Sequence, residues 1–520
     1  VPDTDDSTSL PKPAKTGRLF RGGLVYLLLF AGLFILYLII SPLVVLTGSP
    51  EEPVSVAVPY IGDANVRAGM TASLLLLAFA AVTLWMAKKL TASGALVLLL
   101  LAGVVLRFGV MLYTPFFVHG HDVGGYGGYG HLDYIVRLYE TGRLPETNLG
   151  QFYHPPLAHA ASAAAARLYA LVTLSTDRDV IFEAARLAPC FFSCASMLVT
   201  LRLLEALDFS RKARLFAMTA VAFHPTFLLL APSINNDMAM VFFFLTAVLY
   251  TVRWYKDPTY KNILLLALCI GAAMSSKFSG ALVAVFTAFV FLLGFLRQWN
   301  RGGLKGRAPE LTGQFAAFAA VCFPLGLWYA VRNLKLFGQP LGYVLEIPKD
   351  SSLYVGHIPF GERFLTFDAV SVLWGGYCRP WEDFRLPEYT VKCALFGEYT
   401  FPDSHGPAAI ILLAANLLLI LLSLAAMIWF LVRHNNRPAV YSMAAVWLLQ
   451  TASFVYFNLR YPFGCTMDFR YIVPTVVTGA AFLGLLFERL WDTPRLRSLA
   501  AVMGAVLIVF AGSAAVFYIL

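Results

Sequence analysis

The sequence predicts an all-α polytopic membrane protein with about thirteen transmembrane helices, and three observations predict it. Apolar runs of about 18 residues or more recur along the whole chain, the length a helix needs to cross a hydrocarbon core. Only 13% of the 520 residues are charged while 59% are hydrophobic, whereas a soluble domain carries about 25% charged residues. The basic residues concentrate in alternate loops between the apolar runs, as the positive-inside rule requires of a chain that crosses repeatedly. A mean hydropathy of +0.70 agrees. The net charge of +9 is therefore assigned to membrane orientation, with no nucleic-acid partner expected.

Taken in order, residues 1–23 are polar and Pro/Ser-rich and read as a disordered cytoplasmic tail. The first apolar run, from Leu24 to Leu46, is too long for a signal-peptide core and reads as a retained span. The predicted spans are 24–47, 68–87, 92–114, 182–205, 213–231, 238–254, 261–276, 279–297, 314–334, 407–432, 438–457, 471–489 and 498–519. The loops holding Lys88/Lys89, Arg211/Lys212/Arg214, Arg253/Lys256/Lys261, Arg297/Arg301/Lys305/Arg307, Arg433/Arg437 and Arg489/Arg495/Arg497 all fall on the side of the basic tail. Loops 48–67, 115–181, 232–237, 335–406 and 458–470 then face outward, the N-terminus lies in the cytoplasm and the C-terminus outside. The segment 154–172 is apolar enough to be mistaken for a span. Counting it would move the basic "DFSRKAR" (208–214) outside, so it reads as an interfacial helix started by Pro155 and Pro156.

Seven cysteines do not make a disulfide scaffold. Cys190, Cys194, Cys269 and Cys322 lie in apolar runs and read as small buried hydrophobes. Cys378 and Cys393 share one polar loop and would pair if it faces an oxidising compartment.

The chemistry-bearing residues collect in the outward loops. In "FVHGHDVGGYGGYGHLDYI" (117–135), His119, His121, Asp122, His131 and Asp133 stand in one glycine-rich run. Gly125, Gly127 and Gly130 satisfy G-x-G-x-x-G formally, but no βαβ unit surrounds them, so the dinucleotide reading fails. Three readings stay open. His119, His121 and His131 with the aspartates would suit a divalent metal; the run would be a solvated turn-rich loop; or a carboxylate there would act as general base on a hydroxyl. Further along, "QFYHPPLAH" (151–159) fixes His154 before two prolines, and "PSINNDMAM" (232–240) reads as a polar turn. "SSKFSG" (275–280) brings Lys277, "WYAVRNLKLFGQPLGYV" (328–344) Arg332, and "NLRYPFGCTMDFRYIVP" (458–474) Arg460, Asp468, Arg470 and Tyr471. Several outward cations, against the general bias, suggest a phosphate site.

Together, the first-loop Asp122 in "VHGHDVGGY", "YHPPL", "EAARLAP" (183–189), "NNDM", "SKFSG", "RNLKLFGQPLG" and "FRYIVP" resemble, in order and outward placement, the GT-C superfamily of membrane glycosyltransferases. The likeness runs from about residue 92 to about 490 and is nearest to the bacterial relatives of the protein O-mannosyltransferases and the aminoarabinose lipid A transferases. The resemblance implies a GT-C fold with interfacial helices in the first catalytic extracytoplasmic loop. It also implies a polyprenyl-phosphate sugar donor and inverting transfer to a hydroxyl of a lipid, protein or polysaccharide acceptor. It makes Asp122 the general base, with His121 beside it and Asp133 as the second carboxylate. The protein mannosyltransferases usually carry an Asp-Glu pair at this point, where this chain has His121-Asp122-Val123. His154 would line the acceptor side, and Lys277, Arg332, Arg470 and Tyr471 the donor side. The catalytic module would span 92–490, with two extra N-terminal helices (24–91) and one C-terminal helix (491–520), in a bacterial plasma membrane. No cofactor is required by this chemistry; a divalent metal is the one the histidines would admit.

Two other classes compete. A transporter or flippase of lipid-linked sugar should carry ionisable residues in mid-span; here they cluster at outer ends, with Arg107 and Arg202 as exceptions. A polysaccharide polymerase or ligase of similar build would use the aromatic outer loop 335–406 to bind saccharide.

Overall fold

The computed structural model describes residues 22–43, 64–117, 122–302, 306, 308–374, 384–398, 400–433 and 437–520. His119, His121 and Cys378 lie outside the described residues, as do residues 1–21 of the predicted tail.

The described chain is helical. In order, α1 is Leu24–Ile40, α2 Ala64–Met86, α3 Ala92–Tyr113, α4 His131–Thr141, α5 Leu157–Thr173, α6 Arg178–Ala185, α7 Leu187–Ala206, α8 Arg211–Phe223, α9 Pro225–Leu229 and α10 Asp237–Lys256. There follow α11 Tyr260–Ser276, α12 Leu282–Gly302, α13 Ala308–Phe337, α14 Phe360–Leu365, α15 Ala369–Trp374, α16 Leu386–Leu395, α17 Gly406–Val432, α18 Pro438–Arg460, α19 Pro474–Asp492 and α20 Arg497–Ile519.

Each predicted span coincides with a helix, yet among the described residues nine helices are long and apolar enough to cross a membrane. The difference from thirteen has local causes. Helices α1 and α11 are 17 residues each, and α19, of 19 residues, ends on the charged Glu488, Arg489 and Asp492. The predicted span 213–231 is broken into α8 and α9, because Pro225 has no N–H to continue the helix. The fourth predicted span starts earlier than expected, running with α6 from Arg178 to Ala206. The segment expected to lie along the surface is α5, started after Pro156 and packed against α4, α6 and α7.

Close helix approach fixes the elements that carry the site. A Cβ at Gly271 would meet Leu325, and one at Gly326 would meet Met274, so α11 and α13 lock reciprocally over small residues. Thirty residues long, α13 extends about 45 Å, beyond the ~30 Å hydrocarbon thickness. Its end carries Arg332 and Asn333 out among the loops. One large apolar core joins α3, α7, α8, α10, α17, α19 and α20, and a second, smaller one gathers Phe116, Leu132, Ile135, Ala166, Phe182 and Ile234 under the first loop.

Candidate active site

The glycine-rich run is a tight loop folded around one carboxylate. Asp133, in the first turn of α4, accepts from the backbone N–H groups of Gly127 (3.0 Å), Gly128 (3.0 Å) and Gly130 (2.8 Å). Space explains the glycines. A Cβ at Gly130 would stand 2.2 Å from the Val123 carbonyl oxygen and 2.4 Å from the Gly124 Cα, and Gly124 itself has φ +78°. The turn presents Asp122, whose φ of 52° lies in the left-handed region, a conformation a non-glycine residue keeps only when its surroundings impose it. Two backbone bonds do so: His131 N–H donates to the Asp122 carbonyl (2.9 Å) and Leu132 N–H to that of Val123 (2.8 Å). Behind the loop, Glu183 accepts from Phe116 N–H and pairs with buried Arg186, which donates to the Met111 and Thr114 carbonyls at the end of α3.

Three further outward segments gather beside Asp122. Arg470 Nη2 lies 3.8 Å from Asp122 Oδ2, its Nη1 4.0 Å from Asp237 Oδ2, and its Nε 3.7 Å from Asp468 Oδ2. Lys277 Nζ donates to Asp237 Oδ1 at 2.5 Å. Tyr471 lies beneath both cations, its ring centroid 4.9 Å from Lys277 Nζ and 5.3 Å from the Arg470 guanidinium carbon. Asp237, Asp468, Lys277 and Arg470 are buried, whereas the Asp122 side chain is 55% exposed. Only the loop aspartate is thus open to an incoming group. Burial pushes the Lys277 ammonium below the usual lysine range, against the pull of Asp237.

A buried aromatic and imidazole stack stands beside this cluster. Tyr153 packs on His154 (4.0 Å between centroids), His154 on His131 (5.6 Å), and His159 between His131 (5.1 Å) and Tyr134 (4.3 Å). His131 Nδ1 and His159 Nε2 share a hydrogen bond of 2.8 Å. Burial, followed by the neighbouring imidazoles and by Lys277 and Arg470, holds His131 and His154 well below the usual imidazole range. Burial alone takes His159 down to about 3.

Sequence reasoning placed Asp122, Lys277, Arg470 and Tyr471 together, and the structure brings them together. Asp133 sits in the same loop with both oxygens engaged by backbone N–H groups. His154 lies next to the cluster, but Arg332 points elsewhere: it donates to Asn333 Oδ1 (2.9 Å) and to the Pro145 carbonyl and lies over the rings of Tyr329 and Phe337. Of the three histidines considered for a metal, two lie outside the described residues and His131 faces His159. Among the described residues, the donor group compact enough to share an ion is Cys393, Glu398 and Asp468, with ligand atoms within 4.8 Å of one another. In the sequence Asp237 reads as a turn residue within the "NNDM" motif, and nothing there marks it as the buried partner of Lys277. Cys393 and Glu398 carry no periodic signal and were not singled out as a site.

Residues 170–346, about a third of the chain, match the family model described as dolichyl-phosphate-mannose-protein mannosyltransferase. No curated protein is significantly similar. Among solved structures, the chain is similar to the protein O-mannosyltransferase Pmt1-Pmt2 complex of S. cerevisiae bound to the sugar donor (16% identity, TM-score 0.35, 51% of this chain and 36% of that one). It is also similar to the archaeal oligosaccharyltransferase AglB from Archaeoglobus fulgidus (13%, 0.44, 83% and 56%) and to ArnT from Cupriavidus metallidurans bound to undecaprenyl phosphate (16%, 0.45, 80% and 64%). The chain thus spans between about a third and two thirds of the length of these three structures. The likeness suggested by the order of the motifs is borne out by the family match: over residues 170–346 this all-α membrane protein is similar to the protein mannosyltransferases, which supports a glycosyltransferase.

Proposed function

We propose that the chain is an inverting glycosyltransferase that moves a sugar from a polyprenyl-phosphate donor to an acceptor hydroxyl at the outer membrane face. The observation that carries this reading is the pairing of one exposed aspartate, Asp122, with buried Arg470, which shares the Tyr471 ring with buried Lys277, each of the three charged groups delivered by a different outward loop. In the proposed step the acceptor O–H gives its proton to the Asp122 carboxylate while its oxygen attacks the anomeric carbon. The bond from that carbon to the phosphate oxygen breaks, and the lipid phosphate leaves. Charge develops on the departing phosphate, and Lys277 and Arg470 would offset it. An oxocarbenium-like transition state of this kind needs one base on the face opposite the leaving group. His154 and Tyr153 would border the sugar or acceptor, and Asp133 serves by holding the loop.

The test is sugar transfer from a panel of polyprenyl-phosphate sugars by the purified chain, wild type beside Asp122→Asn, with membranes as acceptor. A general base contributes about 10²–10⁴-fold, so turnover should fall by that order in the variant while donor binding persists. Equal turnover in both proteins would remove Asp122 from the reaction. Absence of any donor turnover or binding would sink the transferase reading.

A further inference from the structure

The consecutive asparagines of "INND" have opposite fates. Asn235 is fully employed in its turn: its Oδ1 accepts from Asp237 N–H at 3.0 Å and its Nδ2 donates to Ser233 Oγ at 2.9 Å. Asn236 is 1% exposed, yet neither its Nδ2 nor its Oδ1 has a hydrogen-bond partner. The same is true of Asp237 Oδ2, next in the chain, and of Arg470 Nε, which faces Asp468 Oδ2 at 3.7 Å, beyond a direct hydrogen bond. Asp237 Oδ2 is 4.0 Å from Arg470 Nη1, wider than a direct hydrogen bond. Buried polar atoms are rarely left unpaired, and those that are call for a missing partner.

The missing partner's chemistry follows from the atoms left open. Asn236 Oδ1 and Asp237 Oδ2 accept only; Asn236 Nδ2 and Arg470 Nε donate only. A phosphate has no N–H or O–H to offer in its ionised form, so it could satisfy the two donors and leave both acceptors bare. A hydroxyl donates and accepts, so neighbouring hydroxyls match both kinds of open atom. We propose that Asn236, with Asp237 and Arg470, reads hydroxyls of the transferred sugar, making Asn236 a specificity-determining residue of the donor site. This rests on the glycosyltransferase reading above and names the part of the donor that the "INND" turn contacts.

Asn236→Leu is the informative variant, because leucine keeps the branched heavy-atom outline of asparagine and is at home when buried. If the amide is open for a ligand, replacing it with an apolar group removes an unpaired polar group and does not lower the melting temperature of the ligand-free chain. If the amide is a structural group satisfied by internal water, the melting temperature falls. Binding is measured on the full chain in lipid nanodiscs with polyprenyl-phosphate mannose, glucose, galactose and arabinose, and with sugar-free polyprenyl phosphate. The expected result is a donor that binds about tenfold more weakly to the variant, sugar-free lipid phosphate that binds both proteins equally, and unchanged ligand-free stability. Equal sugar-donor binding by variant and wild type overturns the assignment but leaves the transferase reading standing. Equal weakening of sugar-bearing and sugar-free lipid, or a lowered melting temperature, also overturns it. Wild type that binds no donor overturns both.

Discussion

At the scale of single residues, two aspartates eleven positions apart in one loop hold opposite positions. Asp122 is exposed and faces Arg470, while Asp133 is buried with three N–H groups pointing at it. Their amide variants should therefore fail differently. Asp122→Asn removes a half-exposed carboxylate whose charge contact is Arg470 at 3.8 Å, with Asp237 and Asp468 still facing that guanidinium, so melting temperature should stay near wild type while turnover is lost. Asp133→Asn presents an NH₂ to backbone donors, and an unsatisfied buried donor costs about 1–3 kcal/mol. Melting temperature should drop, with turnover falling only because the loop no longer holds Asp122. Thermal unfolding beside donor turnover for the two variants checks this; a thermally silent Asp133→Asn without activity would make Asp133 a participant in the chemistry. The sequence showed that both carboxylates belonged to this loop. It could not separate them, because the distinction lies in where the backbone N–H groups of Gly127, Gly128 and Gly130 turn.

At the scale of elements, the break between α8 and α9 explains an arginine in an apolar span. Pro225 cannot donate, which leaves the Val221 carbonyl without its helical partner. Fully buried Arg107 on α3 supplies the missing donors: Nη2 to Val221 O (3.1 Å) and Nη1 to Ala222 O (2.7 Å), with further bonds to Gly103 O and Ser193 Oγ. The released α9 then reaches the outer loop through Thr226 Oγ1, which donates to the Ala394 carbonyl at 2.9 Å, beside Cys393. Arg107→Met should strand both helix-end carbonyls and lower stability by about 3 kcal/mol or more, read as a lower unfolding temperature in detergent. Arg107→Lys should rescue it poorly, because one ammonium cannot reach acceptors set out for a planar fork; full rescue by lysine would mean that charge alone matters. Apolar runs alone made the helices legible, and Arg107 stood out as an exception to the charge pattern. The break at His224-Pro225 is hidden in the sequence because the flanking residues are as apolar as a continuous span.

At the scale of the whole molecule, the cluster of buried ionisable groups on the loop side makes stability depend on pH in two opposed ways. His131, His154 and His159 are held below the usual imidazole range by burial, with Lys277 and Arg470 adding to this for the first two. The unfolded chain therefore takes up protons that the folded chain refuses once pH falls below about 6.5, and stability is lost progressively on acidification towards 3. Glu398 acts in the opposite sense. Burial, and then the nearby Asp468 carboxylate, push it up to about 7, so the folded state binds its proton more tightly than the unfolded one. Its contribution is fully present below the ordinary glutamate range and disappears as pH rises through 7. From about 4.5 to about 7 the three imidazoles outweigh the single carboxyl, so wild-type stability should rise with pH and level off between about 7 and 8. Glu398→Gln removes the opposing group. It should steepen the rise between about 4.5 and 7, as measured by unfolding temperature from pH 4 to 8. An unchanged curve would place the Glu398 proton in contact with water, and the carboxylates around Arg470 would then be screened from one another. The loop that supplies Glu398 has no periodicity to mark it in the sequence; its carboxyl joins the site only because α16 and the Asp468 turn fold onto the same end of the helix bundle.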